Sequence, residues 1–335
     1  MPHINWPRFV ARIRSANRIL LTGHVRPDGD SIGSQMAMAE ILRTLGKDAR
    51  AINANPVPPL LRFLDPQGTI RELQSLTPDE QSWLEGIDCV LVLDTSSWAQ
   101  LGDMGAVLKR PDLTKLVLDH HRTNDDLGAE FFIDSDAEAG GSLVFAAAKA
   151  LGVPLTKTIA EQLFVAIMTD TGWLRFPSVK PETFRTIAAL TEAGVVPAEM
   201  YRNIYEQDSL PRVHLIGQAL SNIESFLEGT LLMTHLSQAD FDATCAVPTD
   251  SEDIVNMLLQ VAGTKVAIIL VEQKTGEMKL SFRSRCHVDC CVLAGRFNGG
   301  GHRAAAGGRI DLPLPAAKAA LLDAVSRAMQ SEHEA

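Results

Sequence analysis

Residues 19–34 read ILLTGHVRPDGDSIGS. Residues 19–22 have the pattern of a short buried strand. Ser31 then stands where it can cap a helix whose apolar residues Ile32, Met36, Ala39, Leu42 and Leu45 recur at helical spacing until Gly46. Between strand and helix, a tight turn carries His24, Asp28 and Asp30, with Gly29 giving the backbone freedom to aim two carboxylates in different directions. A strand, a turn rich in metal-binding side chains and a helix make one step of an α/β fold.

The step repeats. Residues 49–53, 89–93 and 116–118 are short apolar runs, the last two ending in Asp94 and Asp119, as strands buried on both faces of a parallel sheet should. Helical patterns follow at residues 142–151, 158–168 and 182–193. The expected architecture is a parallel sheet flanked by helices, which binds its ligands beyond the carboxyl ends of the strands. The pattern changes after Gly194. Residues 195–228 read as a helical linker, and a smaller α/β domain follows over 229–335. In it we expect a strand at 231–236, a hairpin of 266–271 with 278–282 turning at 274–276, a helix at 289–297 and a glycine-rich loop at 299–308.

Composition limits the function. The 335 residues carry 31 Lys and Arg against 41 Asp and Glu, a formal charge of −10. That sign opposes tracking along long nucleic acid, although bound divalent cations and local arginines leave a short anionic substrate open. No apolar run reaches the roughly 18 residues of a membrane span, so a cytoplasmic protein with no membrane partner is expected. Five cysteines leave no complete disulfide framework. Cys286, His287, Cys290 and Cys291 lack the second ligand pair of a zinc site, and read as a reduced, partly buried helix start.

An isolated Asp after a strand is usually a cap or turn residue. Here His24, Asp28, Asp30, Asp94, Asp119, His120, His121 and Asp170 all fall near the ends of apolar segments, where buried unpaired charge would be costly. Together they point to metal. A divalent pair needs oxygen and imidazole ligands converging on one place, with a shared carboxylate holding the ions roughly 3.5–4 Å apart, and Asp94 could bridge. In the second domain, Gly299, Gly300 and Gly301 would let backbone amides approach a phosphate, with His302 and Arg303 beside them and Arg283 and Arg285 on the preceding strand as cationic donors. Trp173 and Phe176, near Asp170, could stack a base, although aromatics so placed are more often core.

The stretches HVRPDGDSIGS (24–34), VLVLDTSS (90–97), LVLDHHRT (116–123), IMTDTGWLRF (167–176) and GGGHRAAAGG (299–308) resemble, in that order, the motifs of the DHH phosphoesterase family with its DHH-associated C-terminal domain. The likeness runs from about Arg18 to Ile310. Within the family, length and motif wording are most similar to the bacterial nanoRNase/pAp phosphatases, which trim very short oligoribonucleotides to mononucleotides and remove the 3′-phosphate of adenosine 3′,5′-bisphosphate (pAp) to give AMP.

The resemblance implies that His24, Asp28 and Asp94 hold one divalent ion and that Asp30, Asp94, His120 and Asp170 hold the other. It further implies that His121 contacts the scissile phosphate, that Asp119 orients the histidines, and that Arg283, Arg285, Gly300, Gly301 and His302 bind substrate across a cleft. Mixed imidazole and carboxylate ligation suits manganese, with magnesium or cobalt as alternatives. Such a cleft is filled by about two to five nucleotides without a long basic groove. Alternatives remain at this point: a phosphodiesterase for cyclic di-AMP or linear dinucleotides, a family-II-like pyrophosphatase, a RecJ-type exonuclease, and a noncatalytic nucleotide- or RNA-binding protein. The first shares every metal motif, the second would lack GGGH, the third would carry further domains, and the last is opposed by the complete ligand set. A homodimer is left open.

Overall fold

Apolar residues of the first strands divide by parity between two cores. In β1 (Arg18–Thr22), Ile19 and Leu21 face one side and Leu20 the other. In β4 (Cys89–Leu93), Cys89, Leu91 and Leu93 join the first side, while Val90 and Val92 join the second. This period of two, with both faces apolar, is the pattern of a strand covered by helices above and below. The computed structural model describes residues 4–330, and the chain divides into two compact units, Met1–Gln207 and Asp208–Ala335.

The first unit is built on a six-stranded sheet in the order β3-β2-β1-β4-β5-β6, every pairing parallel. The remaining strands are β2 (Asp48–Asn53), β3 (Arg71–Glu72), β5 (Thr114–Asp119) and β6 (Glu130–Ile133). Strand order reverses between β1 and β4, so the loops after these two strands part from each other and leave a crevice at their carboxyl ends. One face is covered by α1 (Trp6–Ser15), α2 (Gly29–Thr44), α6 (Gly140–Leu151) and α7 (Lys157–Asp170). The other carries α3 (Pro78–Glu85), α4 (Trp98–Leu101) and α5 (Met104–Leu108). The helices α8 (Pro181–Glu192) and α9 (Pro197–Tyr205) complete the unit.

The α2 helix starts earlier than its sequence pattern suggested. Asp28 is the cap: its backbone is extended (φ −106°, ψ −167°) and its Oδ1 accepts from the amides of Asp30 and Ser31, both at 3.0 Å. Ser31 is buried inside the first turn and accepts from Gln35 Nε2 instead of capping. A carboxylate outcompetes a hydroxyl here because it accepts two amides at the positive end of the helix. Farther along, Gly33 lies against α7, where a Cβ would come within 2.4 Å of the Gln162 carbonyl oxygen.

The second unit has a mixed six-stranded sheet in the order β11-β12-β10-β9-β8-β7. Its strands are β7 (Glu224–Phe226), β8 (Leu231–Leu236), β9 (Val266–Glu272), β10 (Met278–Ser284), β11 (Gly300–Gly301) and β12 (Ala305–Ile310). The expected hairpin is present as antiparallel β9 and β10, while β8 and β9 run parallel. One face packs on α10 (Leu210–Ser221), α11 (Gln238–Thr244) and α12 (Ile254–Leu258), and the other on α13 (Cys290–Gly295) and α14 (Leu314–Gln330).

The segment expected as a linker, 195–228, is shared between the units. Met200 and Ile204 of α9 are buried in the first core, whereas Leu215 and Ala219 of α10 are buried in the second. The cysteine cluster is a capped helix start: Asp289 accepts from the amides of Cys291 and Val292, and burial pushes the Cys290 thiol up to about 11. Among the described residues no helix is long and apolar enough to cross a membrane.

Candidate metal centre

The loops that follow β1, β4 and β5, joined by the C-terminus of α7, bring the acids and imidazoles of the first unit together. His24 follows β1, and its Nδ1 lies 2.9 Å from the Val25 carbonyl oxygen. A carbonyl cannot donate, so Nδ1 carries a proton whether the ring is neutral or charged, and Nε2 is directed elsewhere. It faces Asp94 Oδ2 at 3.3 Å and Asp28 Oδ1 at 3.7 Å. His120 repeats the device, with Nδ1 3.3 Å from the Ala137 carbonyl oxygen and Nε2 facing Asp94 Oδ1 (3.2 Å), Asp170 Oδ2 (3.6 Å) and Asp30 Oδ2 (3.8 Å).

The two oxygens of Asp94 thus address different imidazoles. Asp94 is buried and holds φ at +60°, its amide donating to Leu118 O of the neighbouring strand at 3.2 Å. That backbone is unusual for a non-glycine residue and is tolerated best by Asp and Asn. It turns the carboxylate at the strand end into the crevice.

Asp30 is held by a feature that the sequence reading passed over. It is almost fully buried, and the amides of Gly140 and Gly141, at the start of α6, donate to its Oδ2 (2.6 Å) and Oδ1 (2.8 Å), with Ser34 Oγ adding a third bond at 3.1 Å. The positive end of that helix therefore faces a carboxylate 110 residues earlier in the chain. The signal available in sequence was the Gly-Gly pair at a helix start, but its partner is set only by folding.

Asp119 is fully buried at the end of β5. Its Oδ1 accepts from the His120 amide (2.8 Å) and the His121 amide (3.2 Å), and lies 2.7 Å from His121 Nδ1. Half of the His121 side chain stays exposed. His24, Asp28, Asp94, His120, His121 and Asp170 all line a cavity of about 310 Å³. Three sets offer ligand atoms within 4.8 Å of one another: His24 with Asp28 and Asp94; Asp30 with His120 and Asp170; and Asp94 with His120 and His121.

Electrostatics matches the geometry. Burial raises the Asp30 pKa well above its ordinary value, and the charges of Asp94 and Asp170 add to the rise. Asp170, half-buried, is raised to about 6 by desolvation, with the charges of Asp94 and Asp28 adding to the rise. For the imidazoles burial works the other way, yet hydrogen bonding to Asp28 and Asp94 carries His24 to about 11, and hydrogen bonding to Asp94 with the neighbouring acids carries His120 to about 10. Four carboxylates crowded around two imidazoles form a donor set that favours added positive charge, and oxygen with imidazole ligation fits divalent transition-metal ions.

The residues expected to bind substrate lie in the second unit. The glycine-rich stretch is an antiparallel hairpin instead of an open loop, pairing Gly300 with Gly307 and Gly301 with Ala306. His302 closes its turn through main-chain bonds with Ala305, and Gly300, Gly301, His302 and Arg303 are exposed. A Cβ on Gly301, where φ is +147°, would come within 2.7 Å of Ala306 Cα, whereas a Cβ on Gly300 would touch nothing. Arg283 donates from Nε to Asn256 Oδ1 (2.8 Å) and from Nη1 to Phe282 O (3.0 Å), with Nη2 3.8 Å from Asp253. Arg285 is exposed. Trp173 packs edge-on against Phe164, Tyr201 and Tyr205, the packing of a core residue, while Phe176 is exposed.

Two family models match this chain: the DHH family, N-terminal domain, over residues 18–167, and the DHHA1 domain over residues 245–331. A Thermus thermophilus protein named bifunctional oligoribonuclease and PAP phosphatase NrnA is 32% identical over 331 residues, 95% of this chain and 93% of its own length. A Streptococcus mutans protein named probable manganese-dependent inorganic pyrophosphatase is 30% identical over 165 residues, covering 48% of this chain and 51% of its own length. Among solved structures, an exopolyphosphatase-related protein from Bacteroides fragilis superposes with a TM-score of 0.84 at 25% identity, over 97% of this chain and 95% of that one.

Proposed function

The chain belongs to the DHH family, and on that premise we propose that it is a divalent-metal-dependent phosphoesterase acting on short oligoribonucleotides and on pAp. Oligoribonucleotides would be cut to mononucleotides and pAp would lose its 3′-phosphate to give AMP. The observation that carries this reading is Asp94, whose two oxygens face Nε2 of His24 and Nε2 of His120 across one cavity. Similarity to the Thermus oligoribonuclease and PAP phosphatase over nearly the whole of both chains supports the choice of substrate class.

In this reading His24, Asp28 and Asp94 hold one ion, and Asp30, Asp94, His120 and Asp170 hold a second. Manganese is the proposed metal. Bound there, the ions supply Lewis acidity toward phosphoryl oxygens and lower the pKa of water. The chain's own groups do the rest. Gly140 and Gly141 fix the orientation of Asp30 through their amides. Asp119 holds His121 through Nδ1, leaving Nε2 to donate a hydrogen bond to the anionic phosphate when the ring is protonated. The neighbouring carboxylate favours that state: the hydrogen bond to Asp119 raises the His121 pKa above its ordinary value. In the second unit, Gly300, Gly301, His302, Arg283 and Arg285 are proposed to engage the remainder of the substrate. One metal pair serves a phosphodiester and a 3′-phosphomonoester alike, because both present phosphoryl oxygens beside a ribose. A cytoplasmic setting suits such RNA turnover.

The test is a manganese-supplemented assay of a diribonucleotide and of pAp with a chelator control. Turnover of both substrates, abolished by chelation and restored by added manganese, is the expected result. Failure of the metal-loaded protein to release mononucleotide or phosphate from either would overturn the proposal.

A further inference from the structure

Most polar groups in the wall of the cavity are already engaged. Ser96 Oγ donates to Thr123 O at 3.2 Å, Ser97 Oγ donates to Asp125 Oδ2 at 2.9 Å, and Asp125 also accepts from the Trp98 amide at 2.7 Å. These bonds tie the loop after Asp94 to the loop after His121. Gln100 is different. It lines the same cavity from the short helix α4 and is half-buried, and among the described residues its carboxamide has no hydrogen-bond partner.

Its backbone, by contrast, is pinned at both ends. Gln100 O accepts from the Val25 amide at 2.6 Å, within the loop that carries His24 and Asp28, and Gln100 N donates to Ser97 O at 3.1 Å. A polar side chain on a fixed stem beside the ligand cluster is poised to meet a bound molecule. Its chemistry limits which part of that molecule it meets. The carboxylates and imidazoles around it are suited to metal and to phosphate, and a neutral carboxamide brings no charge to either. It offers a donor and an acceptor side by side, which complements a hydroxyl or the edge of a base.

We propose that Gln100 is a specificity-determining residue that hydrogen-bonds the neutral nucleoside group adjoining the scissile phosphate. This rests on the phosphoesterase reading above. The contact discriminates because a substrate lacking the matching group leaves a half-buried carboxamide unpaired.

The experiment compares kcat/KM of the wild type, Gln100→Leu and Gln100→Ala on a diribonucleotide, the matching dideoxyribonucleotide and bis(p-nitrophenyl) phosphate. Melting temperature and manganese affinity are measured alongside. The ratio of kcat/KM for the diribonucleotide to that for the small diester is expected to fall roughly 3- to 10-fold in both variants, the loss of one ordinary hydrogen bond. If the ratio for the dideoxyribonucleotide does not fall, the partner is the ribose 2′-hydroxyl. If it falls equally, the partner is the base edge or another hydroxyl common to both. Ratios unchanged in two folded, metal-binding variants would overturn the inference while leaving the phosphoesterase reading intact. A wild type that cleaves the small diester but neither dinucleotide would overturn the reading and the inference with it.

Discussion

Asp94 combines three requirements in one residue: a backbone at φ +60°, near-complete burial, and a carboxylate whose two oxygens face two imidazoles. Asn meets the first two and fails the third, so Asp94→Asn should fold and lose function. Its turnover of every substrate should drop by at least about 100-fold, more than the loss of an outer partner to a metal ligand costs. Near-normal turnover in the purified, manganese-loaded variant would contradict the role assigned to Asp94. His120→Ala removes one imidazole and leaves the set of His24, Asp28 and Asp94 complete; it should be inactive yet retain metal, which elemental analysis would reveal. At this scale much was legible, because an acid or histidine at the end of an apolar run would be expensive there without a partner. What each atom faces was not, since the Asp94 conformation depends on Leu118 of the neighbouring strand and the His120 ring is oriented by the Ala137 carbonyl, 17 residues along the chain.

The elements carry those residues into register. α2 brings Asp28 and Asp30, α7 brings Asp170, and the two helices meet where Gly33 touches the α7 backbone. Gly33→Ala would drive a methyl group into the Gln162 carbonyl, and should destabilise the first unit by about 1–3 kcal/mol. Denaturant unfolding would measure that loss, and manganese affinity should weaken with it as the helices separate. Unchanged stability would mean that the contact relaxes without cost. In the second unit, His302 sits at an exposed hairpin turn with its backbone already satisfied. His302→Ala should therefore leave metal content alone and lower kcat/KM for nucleotides relative to a small activated diester by roughly 10- to 150-fold, equivalent to about 1.5–3 kcal/mol. Equal loss on both substrates, or loss of metal, would remove His302 from substrate binding. Strand and helix periodicities were readable along the chain. The cap at Asp28, the α6 amides on Asp30 and the pairing of Gly300 with Gly307 were not, since each joins groups that local pattern leaves equivalent.

For the whole molecule, the formal charge of −10 weighs against long polyanions. Turnover should be best at about two to five nucleotides and fall for longer RNA, because each added phosphate meets a surface of its own sign. A competition between a pentamer and a transcript of about fifty nucleotides, at low and at moderate salt, checks this. Equal efficiency at both lengths would refute it, and the penalty on the longer chain should shrink as salt screens the repulsion. The alternation of buried strands and helices, with acids at the strand ends, already determined a parallel α/β sheet and a cluster of metal-binding side chains at its carboxyl edge, because period, burial cost and ligand chemistry are local properties of the chain. Only the tertiary structure decided that 195–228 divides between two cores, that Asp28 and not Ser31 caps α2, that a helix start 110 residues away holds Asp30, and that the Gln100 side chain stands in the cavity wall without a hydrogen-bond partner among the described residues. Each of these depends on which distant surfaces pack together, and a side chain's partner across such a contact leaves no periodic trace in the sequence.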